Sequence, residues 1–169
     1  MGEAVKTGRL LLAVLLAAFV AGMAAAHAET NVLFIFDSSG SMKKKVDNGE
    51  ARMTVAKRVM AQTLKDMPAG ARVGLLLYGH RRAKDCTDIE LVSPIGADDA
   101  PTIARRIADL KPKGETPIAA ALEQAIRSFA ALKGQSNRVV LVTGGSRASR
   151  QQARWAGERR RASRRDRCW

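Results

Sequence analysis

The chain has 169 residues, 46% of them hydrophobic, which is enough for one domain with a real core. Its net charge is +13, but residues 31–143 contribute only +6, whereas residues 144–169 contribute +7 through nine arginines and two acids. Because most of the excess charge lies in this tail, and because the chain looks exported, we expect no nucleic-acid-binding function.

The N-terminus has the layout of a secretory signal peptide covering residues 1–28. Lys6 and Arg9 precede the apolar run Leu10 to Val20, and small residues lead into Ala26-His27-Ala28, an A-x-A cleavage pattern. The alternative is an uncleaved membrane anchor, since the uncharged stretch is long enough to span a bilayer. Cleavage before Glu29 predicts an exported protein, periplasmic or secreted, without a stable membrane span.

Cysteine and histidine are too few for a metal site of their own. Cys86 and Cys168 could pair in an oxidising compartment, although the sequence does not decide whether they do. No CxxC is present, and His80 is the single histidine after residue 28. A histidine at a hairpin turn is better explained by a structural role, and we expect this for His80.

The first predicted strand ends in a cluster of oxygen donors. The apolar run Val32 to Phe36 fits a strand that is buried on both faces. It is followed by Asp37, Ser39 and Ser41, which can point the same way if the chain curls into a loop. One carboxylate and two hydroxyls suit a hard divalent cation. The alternative is an ordinary Ser-rich turn.

The next elements predict a layered α/β domain with crossover connections. Lys43 to Lys45 lie in a loop that is either simply solvated or attracts an acidic ligand. The two strands around His80 are too close in sequence for a helical crossover, so they should pair antiparallel. The predicted elements are a helix from Glu50 to Met67, strands Val73 to Tyr78 and Asp88 to Val92, a helix begun by Asp98-Asp99-Ala100-Pro101, a helix from Ile118 to Leu132, and a strand from Arg138 to Thr143.

A further oxygen donor precedes the last helix. Pro117 occupies the expected first helical position, so Thr116 is the natural N-cap, and capping alone is the simpler explanation for it. Thr116 could nevertheless reach the edge of the sheet where Asp37 and the residue after Thr143 lie. Three oxygen-bearing positions converging on one edge make a stronger signal than any of them alone.

These motifs resemble the von Willebrand factor type A domain over residues 31–143. Asp37-x-Ser39-x-Ser41 is similar to that family's metal-ion-dependent adhesion site (MIDAS) motif, and Gly114-x-Thr116-Pro117 to its threonine loop. The hairpin around His80 resembles that of exported bacterial members. The fold implied is a Rossmann-like, doubly wound, mostly parallel sheet with one antiparallel edge strand.

The resemblance also implies a site and a partner. Ser39, Ser41 and Thr116 would bind the cation directly, and Asp37 directly or through water. A carboxylate of a protein partner would fill the open position. Few protein carboxylates favour Mg²⁺ or Mn²⁺ over Ca²⁺.

The chain departs from the family pattern at its C-terminal end. The family's further metal-site Asp should follow Thr143, where this chain has Gly144, so we expect weak metal binding. The tail, residues 144–169, shows no strand pattern, and we interpret it as a disordered, truncated or out-of-frame end; the alternative is a basic tail that binds anionic lipid or polymer. An incomplete sheet lacking its last strands would leave Val139 to Thr143 as an exposed edge that favours self-association.

Three functions follow from these features. The first is a metal-assisted, non-enzymatic binding module. The second is a hydrolase using Asp37 or Ser39, against which stand the absence of G-x-S-x-G and of an Asp-x-Asp pair. The third is a non-functional fragment of such a module.

Overall fold

The computed structural model describes residues 29–144 of the chain. In this part, the elements follow one another in the order strand, helix, strand, strand, helix, helix, strand. A short 3₁₀ helix, Gly40–Lys43, lies after the first strand. The strands are β1 (Thr30–Asp37), β2 (Arg72–Tyr78), β3 (Ile89–Ser93) and β4 (Ser136–Val142). The helices are α1 (Arg52–Lys65), α2 (Ala100–Ala108) and α3 (Ile118–Ser128).

The four described strands form one mixed sheet in the order β3-β2-β1-β4. Both β2 and β4 run parallel to β1, while β3 is antiparallel to β2, which confirms the predicted mostly parallel sheet with one antiparallel edge strand. Asp37 is in register with Tyr78, and Phe36 with Val142, so three parallel strands end at the same edge. This edge carries the candidate site.

The sheet separates two apolar layers, and β1 contributes to both. Phe34 and Phe36 pack with α1 and α2, whereas Leu33 and Ile35 pack with α3. All four of these side chains are buried. The continuous apolar run in β1 is therefore explained by burial on both faces.

Helix ends differ from the sequence prediction in α1 and α3. The helix α1 runs from Arg52 to Lys65 rather than from Glu50 to Met67. The helix α3 ends at Ser128 rather than Leu132, because the N–H groups of Phe129 and Ala130 bond to carbonyls three residues back and tighten the chain into turns. The predicted capping role of Thr116 is wrong: Pro117 itself is the N-cap residue, and no side chain caps this end. By contrast, the Asp99 side chain accepts a hydrogen bond from Thr102 N–H and caps α2 as predicted.

The strand β4 lies at the edge of the sheet described here. Its residues Val139 and Val140, which point to opposite faces, are each 37% exposed. Within residues 29–144 its outer side pairs with no other strand. None of the helices in this range has the length and apolar character needed to cross a bilayer. The predicted signal peptide, Cys168 and the tail beyond Gly144 fall outside the described residues.

Candidate metal site at the carboxyl edge of the sheet

The last residue of β1 places a buried carboxylate at this edge. Asp37 is 1% exposed. Its Oδ1 accepts a hydrogen bond of 2.8 Å from Ser39 N–H, and its Oδ2 accepts one of 2.7 Å from the Thr143 hydroxyl. Both donors are neutral, and no ion pair to Asp37 exists within residues 29–144. A buried negative charge without a counter-charge is unfavourable, so this position favours a cation.

Two serine hydroxyls lie beside this carboxylate at the separation that Mg²⁺ ligands require. The Oγ atoms of Ser39 and Ser41 are 2.9 Å apart and share a hydrogen bond. Adjacent ligands of an octahedral ion with metal–oxygen distances of about 2.1 Å are separated by about 2.9 Å. The separation of the two hydroxyls is therefore compatible with two neighbouring positions around such an ion, which would replace the hydrogen bond between them.

The threonine loop is joined to the serine loop through the backbone. Lys113 N–H donates to Ser38 O at 2.9 Å, and Gly40 N–H donates to Gly114 O at 2.8 Å. Thr116 follows two residues later and is partly buried. Its hydroxyl makes no hydrogen bond within the described part of the chain, either to the two serines or to any other group there. The structure thus brings the two loops together and leaves this hydroxyl free of a capping role.

Gly79, whose role sequence reasoning missed, allows the β2–β3 hairpin to pack closely against the serine and threonine loops. Gly79 has φ +67°, and a methyl group placed on it would lie 2.6 Å from the carbonyl oxygen of Glu115 and 3.0 Å from Ser39 Cα. Its carbonyl accepts a hydrogen bond of 2.8 Å from Gly114 N–H. Three loops therefore meet at Gly79, where only a hydrogen fits. Its position directly after a buried strand was the available sequence signal.

Charged side chains hold this hairpin in shape. Asp88 is buried and accepts hydrogen bonds from the N–H groups of Arg81 and Arg82 and from the Arg81 guanidinium. Burial opposes ionisation of Asp88, but these donors outweigh it and lower its pKa to about 2. The His80 Nε2 atom lies 3.0 Å from a Glu90 carboxylate oxygen, which accounts for this histidine as part of the hairpin.

Tyr78 was expected in a buried strand, but its position next to Asp37 was not predicted. Tyr78 lies beside Asp37 in the neighbouring strand and is fully buried. Burial, followed by the negative charge of Asp37, raises the pKa of its hydroxyl far above the ordinary value. Its neutral side chain forms the floor of the site on the side of α3.

The resemblance implies a second carboxylate at Gly144, but the side chains of Arg52 and Met42 occupy the space next to this residue. A methyl group on Gly144 would lie 2.7 Å from Arg52 Cδ and 2.9 Å from Met42 Sδ. The N–H of Gly144 donates to that sulfur at 3.2 Å. No cluster of three or more His, Cys, Asp or Glu residues able to hold a metal occurs in residues 29–144. Any ion at this edge would therefore depend on hydroxyl donors and a single carboxylate.

Comparison with known proteins points to one family. A model of the von Willebrand factor type A domain matches residues 32–146. Two proteins of Bacillus subtilis (strain 168) are similar: YwmD is 31% identical over 127 residues, and YwmC is 30% identical over 128 residues. These alignments cover 70% and 71% of this chain and 56% of each relative, so the chain spans about half the length of these curated relatives.

Solved structures agree with this match. An aerotolerance-related membrane protein from Bacteroides fragilis NCTC 9343 is 25% identical with a TM-score of 0.53, covering 65% of this chain and 51% of the other. The vWF domain of the type V pili tip protein Mfa5 from Porphyromonas gingivalis is 20% identical with a TM-score of 0.52, covering 68% of this chain and 37% of the other. The second likeness concerns the fold alone.

Proposed function

Since the chain belongs to the von Willebrand factor type A domain family, we propose that it is a binding module that recognises an acidic group on a protein partner through a divalent cation. Domains of this family commonly serve adhesion or protein interaction. The similar Mfa5 domain comes from the tip protein of a pilus. These observations support a binding function without defining the partner.

The observation that carries the proposal is the buried Asp37 carboxylate, which has only neutral donors, beside two hydroxyls at the spacing of Mg²⁺ ligands. Ser39, Ser41 and Thr116 would bind the ion directly, and Asp37 directly or through water. When bound, the cation supplies positive charge that a partner's Asp or Glu can coordinate. Neutral hydroxyl ligands leave most of that charge uncompensated, which strengthens the attraction for a carboxylate.

We expect Mg²⁺ or Mn²⁺ rather than Ca²⁺, because the donor set contains few carboxylates. We also expect weak binding, because Gly144 brings no carboxylate to the site.

Calorimetric titration of the purified protein with Mn²⁺ and Mg²⁺ tests the metal site. Ser41→Ala should weaken Mn²⁺ binding by about 10–100-fold or more, since even supporting residues of metal sites have effects of that size. Ser128→Ala is the matched control, because the Ser128 hydroxyl bonds to a carbonyl within α3. Equal Mn²⁺ affinity in the Ser41 variant and the parent protein would refute the proposed metal site.

A hydrolase is the less favoured alternative. The hydroxyl of Ser39 is hydrogen-bonded to Ser41 rather than to a base, and His80 is paired with Glu90 in the hairpin. Neither contact activates a nucleophile. We therefore propose a non-enzymatic role, and turnover of ester or phosphoester substrates that is lost in Ser39→Ala would contradict it.

A non-functional fragment is the other alternative. Thermal melting followed by circular dichroism, with and without Mg²⁺, distinguishes it from a binding module. A cooperative transition that moves to higher temperature with Mg²⁺ supports the module, because a ligand that binds only the folded state stabilises it. A broad transition that Mg²⁺ does not move supports the fragment.

We further propose that the protein is exported after cleavage before Glu29, as the first 28 residues indicate. One similar solved protein is a membrane protein and another is a pili tip protein. N-terminal sequencing of the exported product should begin at Glu29. Recovery of the intact N-terminus in the membrane fraction would instead support an uncleaved anchor.

A further inference from the structure

Arg52, the first residue of α1, differs from the other arginines in the described part of the chain. It is partly buried, its Nε is buried without a hydrogen-bond partner, and its guanidinium forms no ion pair within residues 29–144. Most other arginines there pair with a carboxylate. These are Arg58, Arg72, Arg81, Arg82, Arg106 and Arg127. A buried N–H without an acceptor is unfavourable, and a ligand that supplies an acceptor to the Arg52 guanidinium would remove that cost.

The side chain of Arg52 lies at the candidate site. Its Cβ and Cδ pack against Gly144, which follows the Thr143 that is hydrogen-bonded to Asp37. Its backbone N–H donates to Lys44 O at 2.8 Å, three residues after Ser41. Arg52 is thus held between the end of β4 and the loop that follows the serines.

Neither Glu50, two residues away in sequence, nor Asp37 in the candidate site forms an ion pair with Arg52. Both carboxylate oxygens of Glu50 accept hydrogen bonds from Arg58, at 2.7 and 2.9 Å. Both oxygens of Asp37 accept hydrogen bonds from the serine loop and Thr143. The exposed residues Lys43, Lys44 and Lys45 on the adjoining loop add positive charge and no acceptor. Within residues 29–144 no acid neutralises Arg52, so its guanidinium is available to an acid from another molecule.

We propose that Arg52 binds a second carboxylate of the partner directly, so that the ligand is an acidic peptide segment with at least two neighbouring Asp or Glu residues. This inference rests on the proposed function for the first carboxylate. The planar guanidinium can bind a carboxylate through two parallel hydrogen bonds and needs no metal to do so. A positively charged side chain thus packs against the position where the resemblance implies a second metal-site acid, and its charge favours an acidic ligand and disfavours a cation.

The test uses a fluorescently labelled hexaglutamate peptide, with hexaglutamine as the uncharged reference, in low-salt buffer containing either Mg²⁺ or EDTA. The parent protein should bind hexaglutamate in both buffers, more tightly with Mg²⁺. Arg52→Met should weaken binding in EDTA by at least about tenfold. The hexaglutamate affinity of Arg52→Lys should lie between those of the parent protein and Arg52→Met, because lysine keeps the charge but cannot make two parallel hydrogen bonds.

Lys65→Met is the matched control. Lys65 is exposed at the last position of the same helix, about 20 Å from Arg52 along its axis, so the variant makes the same charge change beyond the range of screened electrostatics. It should leave hexaglutamate binding unchanged. Binding by Arg52→Met equal to that of the parent protein, or an equal loss in Lys65→Met, would overturn the proposal.

Calorimetric titration with Mn²⁺ separates this role from a merely structural one. Removing a nearby positive charge should leave Mn²⁺ affinity unchanged or increase it in Arg52→Met, opposite to the effect on the peptide. A loss of both affinities in Arg52→Met and Arg52→Lys would show a structural role and overturn the proposal. If Arg52-dependent peptide binding persists in EDTA while Ser41→Ala leaves Mn²⁺ affinity unchanged, the metal site fails and the Arg52 inference stands.

Discussion

Replacing Gly79 by alanine tests whether the close approach of three loops holds the site together. The added methyl group would lie 2.6 Å from Glu115 O and 3.0 Å from Ser39 Cα, both of them backbone atoms with no rotamer to change. Relief therefore requires the hairpin, the serine loop or the threonine loop to shift from its present position. We expect Gly79→Ala to reduce both the free energy of unfolding and the affinity for Mn²⁺.

The magnitude follows from two contributions. Alanine at φ +67° costs about 1–2 kcal/mol, and forcing a methyl group into a packed site costs about 1–3 kcal/mol more. Gly70→Ala is the matched control, because Gly70 has φ +81° but nothing within 4 Å of the added methyl group. Gly70→Ala should therefore lose only the stability that the positive φ costs.

Urea denaturation of the parent protein and both variants, with and without Mn²⁺, measures these effects. Gly79→Ala should be about 1–3 kcal/mol less stable than Gly70→Ala, and Mn²⁺ should stabilise it less. Equal free energies of unfolding in the two variants, with equal stabilisation by Mn²⁺, would refute the packing argument.

Three further predictions concern the hairpin, the second acid position and the edge strand. Because the pKa of Asp88 is lowered from 3.8 to about 2, its stabilising effect should be complete above pH 4 and lost as the pH falls towards 2. The difference in unfolding free energy between the parent protein and Asp88→Asn should therefore shrink over that range; a constant difference in urea titrations would contradict it. Gly144→Asp alone should change the Mn²⁺ affinity little, because the new carboxylate would pair with Arg52. Gly144→Asp combined with Arg52→Ala should bind Mn²⁺ at least about tenfold more tightly by calorimetry. Equal Mn²⁺ affinities of the single and double variants would show that Arg52 does not compete with the ion for this carboxylate. Val139→Lys should reduce concentration-dependent self-association in light scattering, because a charge on an exposed edge opposes strand pairing; unchanged association would place the contact elsewhere.

The sequence was most informative where local chemistry decides the outcome. Continuous apolarity identified β1 as buried on both faces, and the short connection around His80 required antiparallel pairing. The cluster from Asp37 to Ser41 was recognisable because its donors are neighbours in the chain.

Features that depend on distant segments could not be predicted in the same way. The role of Gly79 arises from contacts with Ser39 and Glu115, and Arg52 meets Gly144 across 92 positions of sequence. Pro117 took the capping position expected of Thr116 because its own φ and ψ, −80° and 61°, lie outside the helix. Such relations follow from tertiary packing rather than from local propensity.

The backbone hydrogen bonds among the three loops also bear on how fast a ligand can bind. Gly40, Lys113 and Gly114 each donate an amide hydrogen from one loop to another, so the loops are fastened before any ligand arrives. These three loops therefore have little chain entropy left to lose on association. If an acidic partner binds as proposed, its association rate should depend on diffusion and charge, and its dissociation rate on the lifetime of the carboxylate contacts.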